Sequence, residues 1–391
     1  MPVASLMAEK LKGGSMIRKM FEEGARLKAQ FGPENVFDFS LGNPDPAPPK
    51  QVFEVLAELA ADRSLPHGYM PNAGWPKVRQ SLADYLSQEQ GVSLGPDNII
   101  MTVGAAGALN VIFKALLNPG DEVLTPSPYF VEYGTYAENF GGKLVTAPTR
   151  PDFHLDLKAI EAHLTERTRV VLINSPHNPT GAVYSAKELE GLAKVLNQAR
   201  SKLGQCIYLV ADEPYRQIVY DGLKVPSVLA AYDQAMIASS YSKALSLAGE
   251  RIGFLAISPR AEDSAEITAA AILANRILGF VNAPSLMQLL VGRLQGVSVD
   301  AGIYQRRRDL LCQILDQLGY QFTKPEGAFY LFPKSPIPDD LEFCQRLAKE
   351  RILVVPGSGF GAPGYFRISY CVAEETIRRS REGFARAMSQ V

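Results

Sequence analysis

Seven short β-rich runs, apolar on both faces, are spaced along the middle of the chain. They are Ile99–Val103, Glu122–Leu124, Lys143–Val145, Val170–Ile173, Ile207–Val210, Met236–Ala238 and Phe254–Ile257. A strand that does not alternate between apolar and polar residues is covered on both sides, as in a mostly parallel sheet enclosed by helices. Helix-patterned stretches at 51–61, 76–90, 106–117 and 186–200 stand among the runs. The expectation is a three-layer α/β/α domain around a mostly parallel seven-stranded sheet.

The flanks read differently. Residues 1–31 are polar and helical around Ile17, Met20, Phe21 and Leu27, and stop at Gly32-Pro33. A short strand from Phe37 runs into a proline-rich loop, Asn43–Pro49, where the prolines forbid helix and suit a crossover between domains. After about residue 285 comes a long helical region (286–318) carrying Arg306-Arg307-Arg308, expected to be a solvated helix face. Short strand-like pieces (327–332, 351–355, 365–370) and a helical tail follow. A chain of 391 residues has room for roughly two domains. The division expected is a large domain at 46–285 and a smaller α+β domain built from 1–45 together with 286–391.

Several function classes are disfavoured at once. A formal net charge of −1 gives no electrostatic case for nucleic acid or an anionic membrane. The four cysteines (Cys206, Cys312, Cys344, Cys371) form no CxxC pair or disulfide framework, and the four histidines have no metal-ligand spacing, so no metal is expected. Charged residues at 9, 10, 12, 18 and 19 interrupt any signal-peptide core, and no apolar run approaches the roughly 18 residues of a membrane span. A reduced, cytoplasmic protein is expected.

In open α/β sheets ligands gather beyond the carboxyl ends of the strands. Here those loops are Gly104-Ala105-Ala106-Gly107, Thr125–Phe130, Asn174–Gly181 and Ala211–Tyr215, joined by the segment Ser239–Phe254 around Lys243. A lysine between hydroxyls in a strand–loop–strand setting loses proton affinity on burial, and a neutral amine can condense with a carbonyl cofactor. Ser240, Ser242 and Arg251 would suit that cofactor's phosphate. Small residues at Ala105 and Ala106 let backbone N–H groups approach the same anion at a helix start. Each residue alone has a plainer reading: Lys243 on the surface, Asp212 as a helix cap, Asn178 in an NPxG turn, Tyr215 or Phe130 in the core, Arg367 at a sheet edge. Their convergence favours chemistry.

Together, Asn178-Pro179-Thr180-Gly181, Asp212-Glu213-Pro214-Tyr215, Ser240-Tyr241-Ser242-Lys243 and Arg251-Ile252-Gly253 resemble the fold-type I pyridoxal-phosphate enzymes. Within them the chain is similar to the class I aminotransferases near bacterial aspartate aminotransferase, from Leu41-Gly42-Asn43-Pro44-Asp45 to Arg367-Ile368-Ser369. The resemblance implies pyridoxal 5′-phosphate as cofactor, joined to Lys243 as a Schiff base, with the freed amine then moving the substrate α-proton. It implies that Asp212 holds the pyridine nitrogen protonated, that Asn178 and Tyr215 bond the 3′ oxygen, and that Phe130 stacks on the ring. Ala105, Ala106, Ser240, Ser242 and Arg251 would hold the phosphate, reached also by Tyr69 of a second subunit, which implies a homodimer with shared sites. Arg367 and Gly42, with Asn178, would take the substrate α-carboxylate. Arg276 does not align securely with a side-chain-binding arginine.

The implied activity is amino-acid:2-oxo-acid transamination, aspartate-type or broad, with 2-oxoglutarate as acceptor. A pyridoxal-phosphate lyase on the same scaffold shares the machinery and stays open. A non-catalytic cofactor sensor would need a DNA-binding segment for which about forty residues before the proline-rich loop are too few. A Rossmann oxidoreductase lacks its GxGxxG fingerprint.

Overall fold

The computed structural model describes residues 3–13 and 16–389. Two helices open the chain, α1 (Ser5–Gly13) and α2 (Met16–Phe31), and a short strand β1 (Phe37–Asp38) follows. Helix α2 ends before Gly32, which takes a left-handed φ of 83° ahead of Pro33. Leu27 is buried and Met20 half-buried, while the side chains of Ile17 and Phe21 lie outside the described residues.

Next come α3 (Lys50–Ala61), α4 (Pro76–Gln90), β2 (Ile99–Thr102), α5 (Gly104–Leu116), β3 (Glu122–Ser127), α6 (Glu132–Glu138) and β4 (Lys143–Pro148). Then follow α7 (Leu157–His163), β5 (Thr168–Asn174), α8 (Ala186–Leu203), β6 (Tyr208–Asp212), α9 (Val228–Ala231), β7 (Ala235–Ser240), α10 (Tyr241–Ala244) and β8 (Gly253–Ile257). These strands form one seven-stranded sheet in the order β2-β8-β7-β6-β5-β3-β4. From β4 to β7 the neighbours run parallel, whereas β8 is antiparallel to both β2 and β7. Every residue of β2, β6, β7 and β8 is buried, as expected of strands covered on both faces.

The reversed strand matters for position. Because β8 runs the other way, its first residue Gly253 lies level with Thr102 at the end of β2 and Ser240 at the end of β7. The segment leading into β8 therefore meets the segments leaving β2 and β7 at one edge. Gly253 permits that approach, since a Cβ there would sit 2.4 Å from the Ser239 carbonyl and 2.7 Å from the Gly104 backbone.

After the sheet come α11 (Ser264–Ile277), α12 (Ser285–Gly292) and α13 (Ala301–Gln317), then β9 (Tyr330–Leu331), α14 (Asp340–Lys349), β10 (Ile352–Leu353), β11 (Val355–Pro356), β12 (Phe366–Ser369) and α15 (Glu374–Met388). The single helical region expected over 286–318 is thus two helices. Met287, Leu290, Val291 and Leu294, on or just after α12, join the apolar core that contains Val78 and Leu82 of α4. The remaining elements form a smaller α+β unit, with β11-β12-β9 antiparallel and β1 paired parallel to β10. Its core joins Phe39 to Leu311, Phe343, Leu347, Phe366, Ile368 and Phe384, so the N-terminal segment closes on the C-terminal one.

The arginine run corrects its sequence reading. Arg306 is exposed, but Arg307 and Arg308 are buried. Arg307 forms a fork on Asp45, Nη1–Oδ1 2.5 Å and Nη2–Oδ2 2.8 Å. Arg308 donates to Asp221 at 2.8 Å and to the Pro325 carbonyl at 3.0 Å, over the face of Tyr220. Three consecutive helical positions span about 200° of arc, so a basic run cannot stay on one solvated face. Among the described residues no helix is long and apolar enough to cross a membrane, and no group of His, Cys, Asp and Glu could hold a metal ion. The four cysteines are free.

Candidate active site

A cavity of about 280 Å³ opens at the sheet edge just described, between the two units. The ends of β5, β6 and β7, the start of α5 and the loop before β8 supply one side. Gly42, Tyr330 and Arg367 supply the other. A larger groove of about 710 Å³ runs between α2 and α14, lined by Leu27, Phe31, Leu341 and Cys344. The smaller cavity, where Lys243, Asp212 and Arg367 meet, is the candidate chemical site.

Lys243 sits in α10, directly beyond β7, and its Nζ donates to the Gly42 carbonyl at 2.7 Å. Burial pushes its pKa down to about 8, and the neighbouring cations Arg367 and Arg251 push the same way. This is an ammonium that gives up its proton more readily than an ordinary lysine. The Gly42 loop is tied in turn by Cys371, whose Sγ donates to the Leu41 carbonyl at 3.4 Å and contacts Ser369 Oγ at 2.9 Å.

Asp212 ends β6, wholly enclosed. Burial raises its pKa to about 7, against the lowering effect of a hydrogen bond from the Tyr133 hydroxyl at 2.6 Å to Oδ2. Its other oxygen, Oδ1, is buried without a hydrogen-bond partner. An unpaired buried carboxylate oxygen is costly and invites a donor from a ligand.

Asn174 at the end of β5 donates to the Asp212 carbonyl at 2.7 Å and accepts from the Asn178 N–H at 2.7 Å, locking the two strand-end loops. Arg367, on β12, is wholly buried. Its Nη1 donates to Asn178 Oδ1 at 3.1 Å and its Nη2 to the Ser40 carbonyl at 2.6 Å, while Nε has no partner. The guanidinium lies between the rings of Tyr330 and Phe360, 4.7 and 4.8 Å from their centroids. The arrangement is a fixed, dry cation with hydrogen-bonding capacity unspent. With Asn178 Oδ1 engaged, the Asn178 Nδ2 is left as a donor. Tyr215 shares a 2.8 Å hydroxyl–hydroxyl bond with Tyr330.

At the other end, Ala105 and Ala106 lie in the first turn of α5, beside buried Ser240 and Ser242 and the Arg251 side chain. Arg251 adopts a left-handed φ of 52° and donates to the Ala248 carbonyl at 2.9 Å. Gly104, at φ 70°, leaves room for it: a Cβ there would be 2.9 Å from an Arg251 nitrogen. A helix start, two hydroxyls and an arginine make an anion cradle. Phe130 lines the cavity wall, edge-on to Tyr133 with centroids 5.5 Å apart.

Twelve of the thirteen residues expected from the sequence thus line one cavity: Gly42, Ala105, Ala106, Phe130, Asn178, Asp212, Tyr215, Ser240, Ser242, Lys243, Arg251 and Arg367. Tyr69 does not. Its side chain is 94% exposed, in a separate concavity formed by residues 67–70 and 280–285. Arg276 is exposed on α11 and lines neither. Sequence reading missed Tyr133, Tyr136, Asn174 and Tyr330. Tyr133 lies three residues after Phe130, but its partner Asp212 lies 79 residues away.

The donor set fits a planar nitrogen heterocycle carrying an aldehyde and a phosphate. Such a molecule finds an amine of lowered pKa, a carboxylate oxygen awaiting a partner, an aromatic wall and an anion cradle within one cavity. Comparison with known proteins gives the chain's relatives. Residues 34–384 match the family model for aminotransferases of class I and II. The aspartate/prephenate aminotransferase of Thermus thermophilus is 36% identical over 363 residues, 90% of each chain. The aromatic-amino-acid aminotransferase 2 of Thermococcus litoralis is 32% identical over 96% of each. Among solved structures, an amino transferase from Eubacterium rectale superposes with a TM-score of 0.96 at 41% identity over 99% of both chains. The Thermus thermophilus aspartate aminotransferase with maleate gives 0.87 at 31% identity, over 97% of this chain and 98% of that one.

Proposed function

The chain belongs to the class I and II aminotransferases, and on that premise we propose that it moves an amino group between amino acids and 2-oxo acids, using pyridoxal 5′-phosphate held by Lys243. An aspartate-type or broad amino-acid range, with 2-oxoglutarate as acceptor, is the substrate reading. The observation that carries it is the convergence of the Lys243 amine, the unpartnered oxygen of Asp212 and the half-satisfied Arg367 guanidinium on one cavity.

When bound, the cofactor supplies an aldehyde and an electron-accepting ring. The chain's residues do the rest. Lys243 would anchor the cofactor, and its Nζ is the group placed to take and return the substrate α-proton, its proton affinity lowered by burial. Asp212, ionised, would hold the ring nitrogen protonated through a charge-assisted hydrogen bond. Tyr215 and Asn178 would donate to the ring's 3′ oxygen. Ala105, Ala106, Ser240, Ser242 and Arg251 would hold the phosphate, and Phe130 would pack on the ring. Arg367 holds the substrate α-carboxylate, with Gly42 leaving space beside it: a Cβ at Gly42 would fall 1.9 Å from the Tyr330 hydroxyl. Anchoring that carboxylate disfavours its loss, which is why transamination is preferred to decarboxylation.

The deciding experiment is a half-reaction. An amino acid added without oxo acid should bleach the yellow protein and release one equivalent of oxo acid, and 2-oxoglutarate should restore the colour. Continuous ammonia release without bleaching assigns a lyase instead.

We also propose the domain division 46–285 against 1–45 with 286–391, adding that α12 packs on the larger unit. A cytoplasmic location suits four free cysteines. The working form is a homodimer in which Tyr69 serves the phosphate of the neighbouring subunit. In support, Tyr69 is exposed, as are Leu273, Ile277 and Leu286, large apolar side chains that a second copy would cover. Sedimentation under assay conditions should show a dimer, and Tyr69→Phe should weaken pyridoxal phosphate binding without dissociating it. A fully active monomer overturns this.

A further inference from the structure

Asp212 is held from behind by Tyr133, whose part in the chemistry follows from three observations. The Tyr133 hydroxyl donates to Oδ2 at 2.6 Å, both groups are buried, and Oδ1 is left without a partner. Tyr133 belongs to α6, outside the strand-end loops, so its bond is not a by-product of the turn that carries Asp212.

We propose that Tyr133 is a positioning residue for the cofactor's ring nitrogen: by occupying Oδ2 it fixes the rotation of the carboxyl group, turns Oδ1 to the ring, and keeps the shared proton on the nitrogen. The proposal rests on the reading that the cavity takes pyridoxal phosphate. A proton between a carboxylate and a ring nitrogen settles on the more basic partner. Enclosure raises the proton affinity of Asp212 toward that of a pyridine-type nitrogen, and an O–H donated to the carboxylate lowers it again. Tyr133 itself remains a neutral phenol and so a donor, because burial and the adjacent Asp212 both hold its pKa well above the ordinary value. Phe130, three residues earlier and edge-on to the Tyr133 ring, couples the aromatic wall to the same support.

The test uses the apoprotein titrated with pyridoxal phosphate and with its 1-deaza analogue, in which a C–H replaces the ring nitrogen. Wild type should prefer pyridoxal phosphate. Tyr133→Phe should bind it about tenfold more weakly, the scale of one hydrogen bond to a charged group. It should bind the deaza analogue as before, so the preference shrinks. In an Asp212→Asn background the same change should have no further effect. Equal losses for both ligands would mark a packing role and overturn the assignment, as would an unchanged preference. A wild-type protein that holds neither ligand would instead remove the cofactor reading, and this inference with it.

Discussion

Lys243→Ala should abolish turnover while leaving a folded protein that still binds pyridoxal phosphate through the anion cradle. The loss expected is roughly 10⁴-fold or more, since general base catalysis alone is worth about 10²–10⁴ and the covalent anchor is lost with it. Alanine also removes an ammonium that is costly to bury, so unfolding temperature should hold or rise. In wild type, borohydride should fix a pyridoxyl group on Lys243, found by peptide mapping; a label on another lysine sinks the assignment. The pH dependence has a definite sign. Below the lowered pKa of about 8 the amine is protonated and cannot attack the aldehyde. Coupling of cofactor to apoprotein should therefore accelerate as pH rises through about 8 and then level off.

That lysine could be found from sequence because the segment around it is local: hydroxyls, lysine and arginine follow one another within a dozen residues between two apolar runs. The seven strands were legible for the same reason, each being a run whose burial is written into its composition. The direction of β8 was not, since an apolar run reads alike whether its neighbours are parallel or antiparallel. Yet that reversal sets Gly253, two residues after Arg251, level with Ser240 and Thr102. Arg307 and Arg308 were misread because their partners, Asp45 and Asp221, lie 262 and 87 residues away. Tyr133 escaped because its contact with Asp212 spans 79 residues and no motif contains both. Residues whose role comes from a neighbour in the chain show in the pattern. Those whose role comes from a neighbour in space do not.

Arg367 depends on distant partners for its geometry, and its replacement is the second large effect expected. Arg367→Lys keeps a positive group on β12 but cannot span the Ser40 carbonyl and Asn178 Oδ1, which lie on two different Nη atoms of one rigid plane. Nor would an ammonium fill the slot between the Tyr330 and Phe360 rings as a flat guanidinium does. Losing one of two charge-assisted bonds to a carboxylate costs about 1.5–3 kcal/mol, so kcat/KM for any amino acid should fall roughly 10- to 150-fold. Burial adds to the effect, because it lowers the proton affinity of a lysine whereas arginine keeps its charge. The contrast with Arg251 separates the two cations. Arg251→Lys should weaken pyridoxal phosphate binding and spare the KM of the amino acid, whereas Arg367→Lys should raise that KM and leave cofactor affinity unchanged. If KM and kcat both survive the change at Arg367, the α-carboxylate is anchored elsewhere in the cavity. A joint loss of cofactor and substrate binding would show that the lysine variant has collapsed the wall it shares with Asn178, and Arg367→Gln, which retains a planar donor group without the charge, then isolates the electrostatic part.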